Sequence, residues 1–203
     1  MLKRLFDLMI CIPTLVILTP LLIAITVSIK LTSKGTIFYL GERVGLNGNK
    51  FNIIKFRTMV PEAELQGTTT TINDPRITKV GNFLRKYKLD ELPQLINVIK
   101  GDMSLVGPRP EVEEHTNEYN EEEKQILSVR PGITDYSSIE FYNLAEVLGP
   151  NDPHRVYVSK IRSQKNQLRL LYVKNKSFSE DIKILFNTTK LLISLISGRL
   201  KKN

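Results

Sequence analysis

The sequence predicts a mostly helical α/β fold of the α+β kind: a re-entrant N-terminal membrane helix, then a small cytoplasmic globular domain with short strands and amphipathic interfacial helices. Three observations carry this. An uncharged run rich in Leu, Ile and Val extends from Leu8 to Ile29. Two strand-like pieces, Ile37-Phe-Tyr-Leu40 and Phe51-Asn-Ile-Ile54, flank the turn-rich Gly45-Leu-Asn-Gly-Asn49. Apolar residues then recur at helical spacing at Leu92, Leu95, Ile96 and Ile99, and again from Asp181 onward. A chain of 203 residues has room for one domain with a core, so the division is 1–34 as anchor and 35–203 as the catalytic domain.

The first element is the anchor. As a straight helix the apolar run reaches about 33 Å, enough for a hydrocarbon core of about 30 Å. It is too long for a secretory signal core and has no small-residue cleavage site. Pro13 and Pro20 interrupt it. An interior proline costs a helix about 3 kcal/mol and frees the carbonyl four residues back, which the Thr19 hydroxyl is placed to help satisfy. Lys3 and Arg4 precede the run and Lys30 and Lys34 follow it, so both flanks favour the cytoplasmic side. A helix broken at Thr19-Pro20 that enters and leaves by one face meets that demand; a kinked spanning helix is the alternative.

The strand pieces read as a hairpin. Gln66 to Asp74, with four consecutive threonines, reads as a loop or lid. Helical signals resume at Gly81-Asn-Phe-Leu-Arg85 and at Leu92 to Ile99, the latter stopped by Gly101. Pro110 to Ser128 is acidic and reads as a solvated helix face. The C-terminal stretch aligns Ile182, Leu185, Phe186, Leu192, Leu195 and Ile196 and ends in Arg199, Lys201 and Lys202. Packing on the core is the expectation for it, with a position at the membrane surface as the alternative.

A net charge of +8 implies an anionic partner: nucleic acid, an anionic membrane or a phosphorylated substrate. One cysteine excludes disulfides and Cys-rich zinc sites, and two histidines leave little for a His-based site. Carboxylate and cation chemistry on phosphates stays open. Asp90 and Glu91 lie between Arg85, Lys86 and Lys88 on one side and Pro93 on the other. Because proline suits a first helical turn, Asp90 reads as the N-cap of the following helix, where unpaired N–H groups favour both an ionised carboxylate and an incoming phosphate. By itself that pattern is ordinary capping chemistry. Three further segments hold cations in restricted backbone: Lys55-Phe-Arg57-Thr-Met59, Gly107-Pro-Arg109-Pro110 and Arg130-Pro-Gly-Ile-Thr134. Arginine offers a planar fork of donors matched to phosphate, and several around a carboxylate would form a diphosphate pocket.

The order of Lys55-Phe-Arg-Thr-Met59, Leu89-Asp-Glu-Leu-Pro-Gln94, Asn97 to Pro110 and Arg130-Pro-Gly-Ile-Thr134 resembles the bacterial sugar transferases that are minimal monotopic phosphoglycosyl transferases, over nearly the whole chain. The resemblance implies transfer of a sugar 1-phosphate from a UDP-sugar to polyprenol phosphate, with release of UMP and with Mg2+ as cofactor. It implies Asp90 as nucleophile, forming an aspartyl phosphosugar intermediate, and as a metal ligand, with Glu91 supporting it. Arg85 and Arg109 are the expected phosphate contacts, then Lys55 and Arg57; a turn-forming role explains Arg130 equally well. The family's anchor breaks at Ser-Pro, where this chain has Thr19-Pro20. Many relatives continue Arg-Pro-Gly-Ile-Thr with Gly-Trp, whereas this chain has Asp135-Tyr136, so a relative's sugar is not carried over. Location on the cytoplasmic face of the bacterial inner (plasma) membrane, contact with the lipid bilayer and hand-over to downstream glycosyltransferases also follow from the resemblance. No nucleic-acid partner is expected, since no aromatic platform accompanies the basic runs. A membrane-tethered scaffold that binds anionic lipids without catalysis is the competing reading; it explains the charge and the anchor but not the carboxylate pair.

Overall fold

A computed structural model describes residues 2–63, 74–149 and 152–197 of the chain. Helix α1, Leu2–Thr32, runs as one helix through Pro13 and Pro20. At 1.5 Å per residue it is about 46 Å long. The helix continues through Thr19-Pro20, where a break was expected. The Thr19 hydroxyl donates to the Leu15 carbonyl at 2.9 Å, one residue before the Val16 carbonyl that Pro20 leaves free.

One stripe of α1 is tied to the rest of the molecule along its length. Lys3 pairs with Asp181 at 2.6 Å, Arg4 donates to the Val98 and Ile99 carbonyls, and Ser104 donates to Asp7 at 2.8 Å. Cys11 enters the main core, while Ile25 and Ile29 pack with Phe56 and Leu84 at the other end. The opposite stripe, including Leu5, Met9, Val16, Ile17, Ile23 and Leu31, is apolar and exposed. Both ends of α1 therefore rest on the same body, a point that composition could not reveal.

Strands β1, Phe38–Val44, and β2, Lys50–Phe56, form the expected antiparallel hairpin, longer than the apolar pieces alone predicted. The free edge of β2 is occupied by a side chain. Fully buried Asn97 accepts from Ile54 N at 2.9 Å and donates to Asn52 O at 2.8 Å, as a paired strand would. Asn97 belongs to α3, Gln94–Lys100, whose C-terminal Gly101 has the predicted left-handed φ of 97°. Helix α2, Lys79–Lys86, is capped by Thr78, whose hydroxyl accepts from Gly81 N.

After α3, β3 (Ser104–Val106) pairs in parallel with β4 (Gly132–Thr134). The short α4, Glu113–Thr116, lies between them in sequence, and α5 (Tyr136–Glu140), α6 (Leu144–Leu148) and α7 (Pro153–Val156) follow. A π-helical turn at Tyr157–Ile161 leads into α8, Arg162–Asn175, and the described chain closes with α9, Phe178–Ile196. The main core gathers Ile53, Val98, Met103, Val106, Tyr172 and Ile184, each side chain contributing about 1.5–3 kcal/mol on burial.

Two expectations are corrected here. The acidic segment is not uniformly solvated: Glu111 is enclosed by Arg169, Lys165 and the Tyr157 hydroxyl, since the polar face of α8 points inward. In α9, Asp181, Ile184 and Thr188 face the core, while Ile182, Phe186, Ile193 and Ile196 stay exposed, so much of its predicted apolar stripe does not pack on the core. Gln66 to residue 73 of the predicted loop, and Arg199, Lys201 and Lys202, lie outside the described residues.

Candidate active site

The segment between α2 and α3 folds as a 3-10 turn, Leu89–Glu91, continued by Leu92 and Pro93 in right-handed helical geometry. Asp90 sits inside this turn. The turn is entered through Lys88 in the left-handed region (φ 58°, ψ 20°), and α3 begins after Pro93, so Asp90 is not the N-cap the sequence suggested. A lysine there costs about 1 kcal/mol, strain of a kind that gathers at functional sites.

The two carboxylates stand in opposite environments. Glu91 accepts from Lys55 Nζ at 2.9 Å and from both terminal nitrogens of Arg109, Nη1 reaching Oε2 at 3.1 Å and Nη2 reaching Oε1. Burial alone would raise its pKa, but Arg109 and Lys55 hold it well below the usual carboxylate range. Asp90, 7% exposed, has no such clamp. Its Oδ1 is buried without a hydrogen-bond partner, which leaves Oδ2 as the oxygen a substrate can reach. Burial and the neighbouring Glu91 charge push the Asp90 pKa up, against the pull of Lys55, Arg85 and Lys88. A helix terminus thus does not set the charge of Asp90; burial and Glu91 raise its pKa and the nearby cations only partly offset them.

Each cation is delivered by a different element. Lys55 comes from β2, aligned by the Asn97 stitch, and burial lowers its pKa against the pull of Glu91. Arg85 lies in the last turn of α2 and donates through Nε to the Thr58 hydroxyl at 2.8 Å; burial lowers its pKa, and the Asp90 charge is the largest influence raising it. Arg109 follows β3, and its backbone N–H donates to Asp135 Oδ2 at 3.2 Å. Asp135, fully buried, also accepts from Ser137 Oγ and from the N–H and hydroxyl of Ser138, capping α5. Sequence reasoning noted Asp135 as a departure from relatives but missed its place behind Arg109.

Arg57 is not brought to this cluster. Its guanidinium donates to Lys34 O at 2.6 Å and to Ser33 O and Oγ at 3.1 and 2.7 Å, closing the exit of α1. Gly35 (φ 111°) lies against it, where a Cβ would meet Arg57 Nη1 at 2.2 Å. Arg130 donates to the Gly101 carbonyl at 3.1 Å, the turn-stabilising role left open above. Thr19 and Pro20 lie within α1, outside the cluster.

Among the described residues there is no group of three or more His, Cys, Asp or Glu that could cage a metal. The donors present fit an ion of another kind. Mg2+ is commonly held by one or two carboxylates together with substrate phosphates and water, and Asp90 is the carboxylate here without a cationic partner in direct contact.

The family model described as bacterial sugar transferase matches residues 1–194. The chain is 38% identical over 202 residues to the exopolysaccharide production protein ExoY of Sinorhizobium fredii, covering 92% of this chain and 83% of that one. It is 37% identical over 196 residues to the UDP-glucose:undecaprenyl-phosphate glucose-1-phosphate transferase of Escherichia coli, covering 93% and 39%. It is 38% identical over 211 residues to the undecaprenyl-phosphate galactose phosphotransferase of Salmonella typhimurium, covering 95% and 40%. The chain thus spans most of the first relative and about two fifths of the other two. With its motifs, its carboxylate and arginine cluster and its apolar N-terminal helix all within the matched span, the chain belongs to the bacterial sugar transferase family.

Proposed function

We propose that this protein transfers a sugar 1-phosphate from a UDP-sugar to polyprenol phosphate, yielding polyprenol diphosphate sugar and UMP. One observation carries the assignment of roles. Of two adjacent carboxylates, Glu91 is neutralised by Lys55 and Arg109, while Asp90 has a reachable oxygen among cations that it does not directly bind. In the first step Asp90 Oδ2 forms a bond to the sugar-bearing phosphorus and the bond to the bridging oxygen breaks, so UMP leaves with the electron pair. In the second step an oxygen of polyprenol phosphate bonds to that phosphorus, and the aspartyl O–P bond breaks to restore the carboxylate. No net proton is needed.

The anionic reactants repel Asp90, and Arg85, Lys55 and Lys88 offset that repulsion. Arg109 keeps Glu91 occupied and adds its remaining donor capacity toward the diphosphate. Mg2+, held by Asp90, would neutralise phosphate charge. Arg57 supports the site through the α1 exit turn.

The setting is monotopic, on the cytoplasmic face of the bacterial inner membrane, with the exposed apolar stripe of α1 set against the bilayer. The attachment of both α1 ends to one body supports this, because a spanning helix would separate them. The lipid-linked product is then available to downstream glycosyltransferases at the same surface. The test is a UMP-release assay with Mg2+, polyprenol phosphate and UDP-glucose, UDP-galactose and UDP-N-acetylgalactosamine, together with Asp90→Asn. Release that the variant lacks supports the reading; lipid binding without UMP release would favour a scaffold.

A further inference from the structure

Five buried side-chain polar atoms among the described residues have no hydrogen-bond partner, and three of them belong to two residues four apart in sequence: Asp90 Oδ1, Gln94 Oε1 and Gln94 Nε2. Gln94 is 0% exposed. An unpaired buried polar group costs about 1–3 kcal/mol, so a glutamine with both ends idle is an expensive way to fill space that Leu or Met would fill. The right-handed geometry running from Leu89 through Leu92 and Pro93 into α3 sets Gln94 four residues after Asp90, a spacing across which Gln and Asp side chains bond.

Resting on the reaction proposed above, we infer that Gln94 is a positioning residue for the nucleophile: its amide N–H donates to Asp90 Oδ1 when the diphosphate engages Oδ2. This contact turns the outer oxygen toward phosphorus in the first step. In the second step, as the aspartyl O–P bond breaks and charge returns to both carboxylate oxygens, the same donor stabilises the leaving carboxylate. The second effect is the larger, because a donor to an already ionised carboxylate partly stabilises the ground state of the first. Glu91, held by Lys55 and Arg109, needs no such partner.

The test uses the full chain with the UDP-sugar that the wild type accepts. Gln94→Leu and Gln94→Met remove the donor and keep the volume. Expected are a fall of about 100-fold in kcat for UMP release in the presence of acceptor and a lowered KM for UDP-sugar, because the step after covalent attachment is slowed more than the attachment itself. The melting temperature should be unchanged or higher, since a buried unpaired amide is gone. With labelled sugar, the ratio of protein-bound label to turnover should rise in both variants, a ratio that does not depend on how much protein is folded. Wild-type kcat with a raised melting temperature would make Gln94 a packing residue and overturn the inference, and so would a wild-type ratio of bound label to turnover. A wild type that releases no UMP from any UDP-sugar overturns the proposed reaction and this role with it, whereas an active wild type with indifferent variants overturns the role of Gln94 alone.

Discussion

Arg109 grips Glu91 with both terminal nitrogens, Nη1 donating to Oε2 at 3.1 Å and Nη2 to Oε1, while Lys55 Nζ shares Oε1 at 2.9 Å. All three side chains are mostly buried. Removing one charge from such a group leaves the others uncompensated. Glu91→Gln should therefore cost about 3 kcal/mol, lowering the melting temperature by about 6–12 °C as read by circular dichroism. Arg109→Lys keeps the charge but loses the fork, and should lower kcat/KM at least about tenfold with a smaller loss of stability.

Asp90→Asn should lower UMP release at least about a thousandfold while the melting temperature holds or rises, since it removes a buried carboxylate without a direct ion-pair partner. Covalent labelling by sugar-labelled UDP-sugar should vanish in the same variant. Retained labelling would move the nucleophile elsewhere.

Asp135 joins α5 to the backbone of Arg109, so its effect should exceed that of a cap. Asp135→Ala should cost about 1–2 kcal/mol as a lost N-cap, and should also lower kcat/KM by loosening Arg109. Asp152→Ala, a comparable cap on α7 whose side chain accepts from Arg155 N, should lower stability without that loss of activity. Measuring denaturation midpoints and turnover for both variants separates capping from positioning.

Glu111 gives the stability a pH dependence. Burial raises its pKa, but Arg169 and Lys165 outweigh this and hold it below the ordinary 4.5. The folded state then binds fewer protons than the unfolded chain below about pH 4.5. Its contribution is fully present above that pH and is lost as pH falls through the depressed folded value. The difference in melting temperature between wild type and Glu111→Gln should shrink as the pH falls below about 4.5.

Phe186 and Ile196 project from α9 into the surroundings, 70% and 69% exposed. Changing both to Ser should weaken partition into phospholipid vesicles, by about 2 kcal/mol or more, and leave the fold intact. A lowered melting temperature with unchanged partition would place these side chains in an unseen packing contact instead.

The hairpin, the helix stop at Gly101 and the amphipathic character of the C-terminal segment were legible because each depends on neighbours in sequence: turn residues, a left-handed glycine, a 3.6-residue period. Lys55, Arg85, Arg109, Asp90 and Glu91 were legible as a set because their motifs are short and specific. What each does was less so. Asp90 looked like a cap because Pro93 marks a helix start, yet the 3-10 turn comes first and shifts the helix boundary past it. Arg57 sits two residues from Lys55 and reads like another phosphate contact, but its guanidinium turns to the α1 exit instead.

By itself the sequence determined the family, the residue types of the site, the length of the apolar helix and the excess of positive charge. These follow from composition, local backbone preference and motif order. The tertiary structure decided which carboxylate is neutralised and which keeps a reachable oxygen, that Asp135 stands behind Arg109, and that the Gln94 amide is buried without a partner. It also decided that both ends of α1 rest on one body. The physical reason is common to all of these: burial and long-range ion pairing depend on which distant segments meet, and residues 55, 91, 109 and 135 meet only when β2, the 3-10 turn before α3, β3 and β4 have packed.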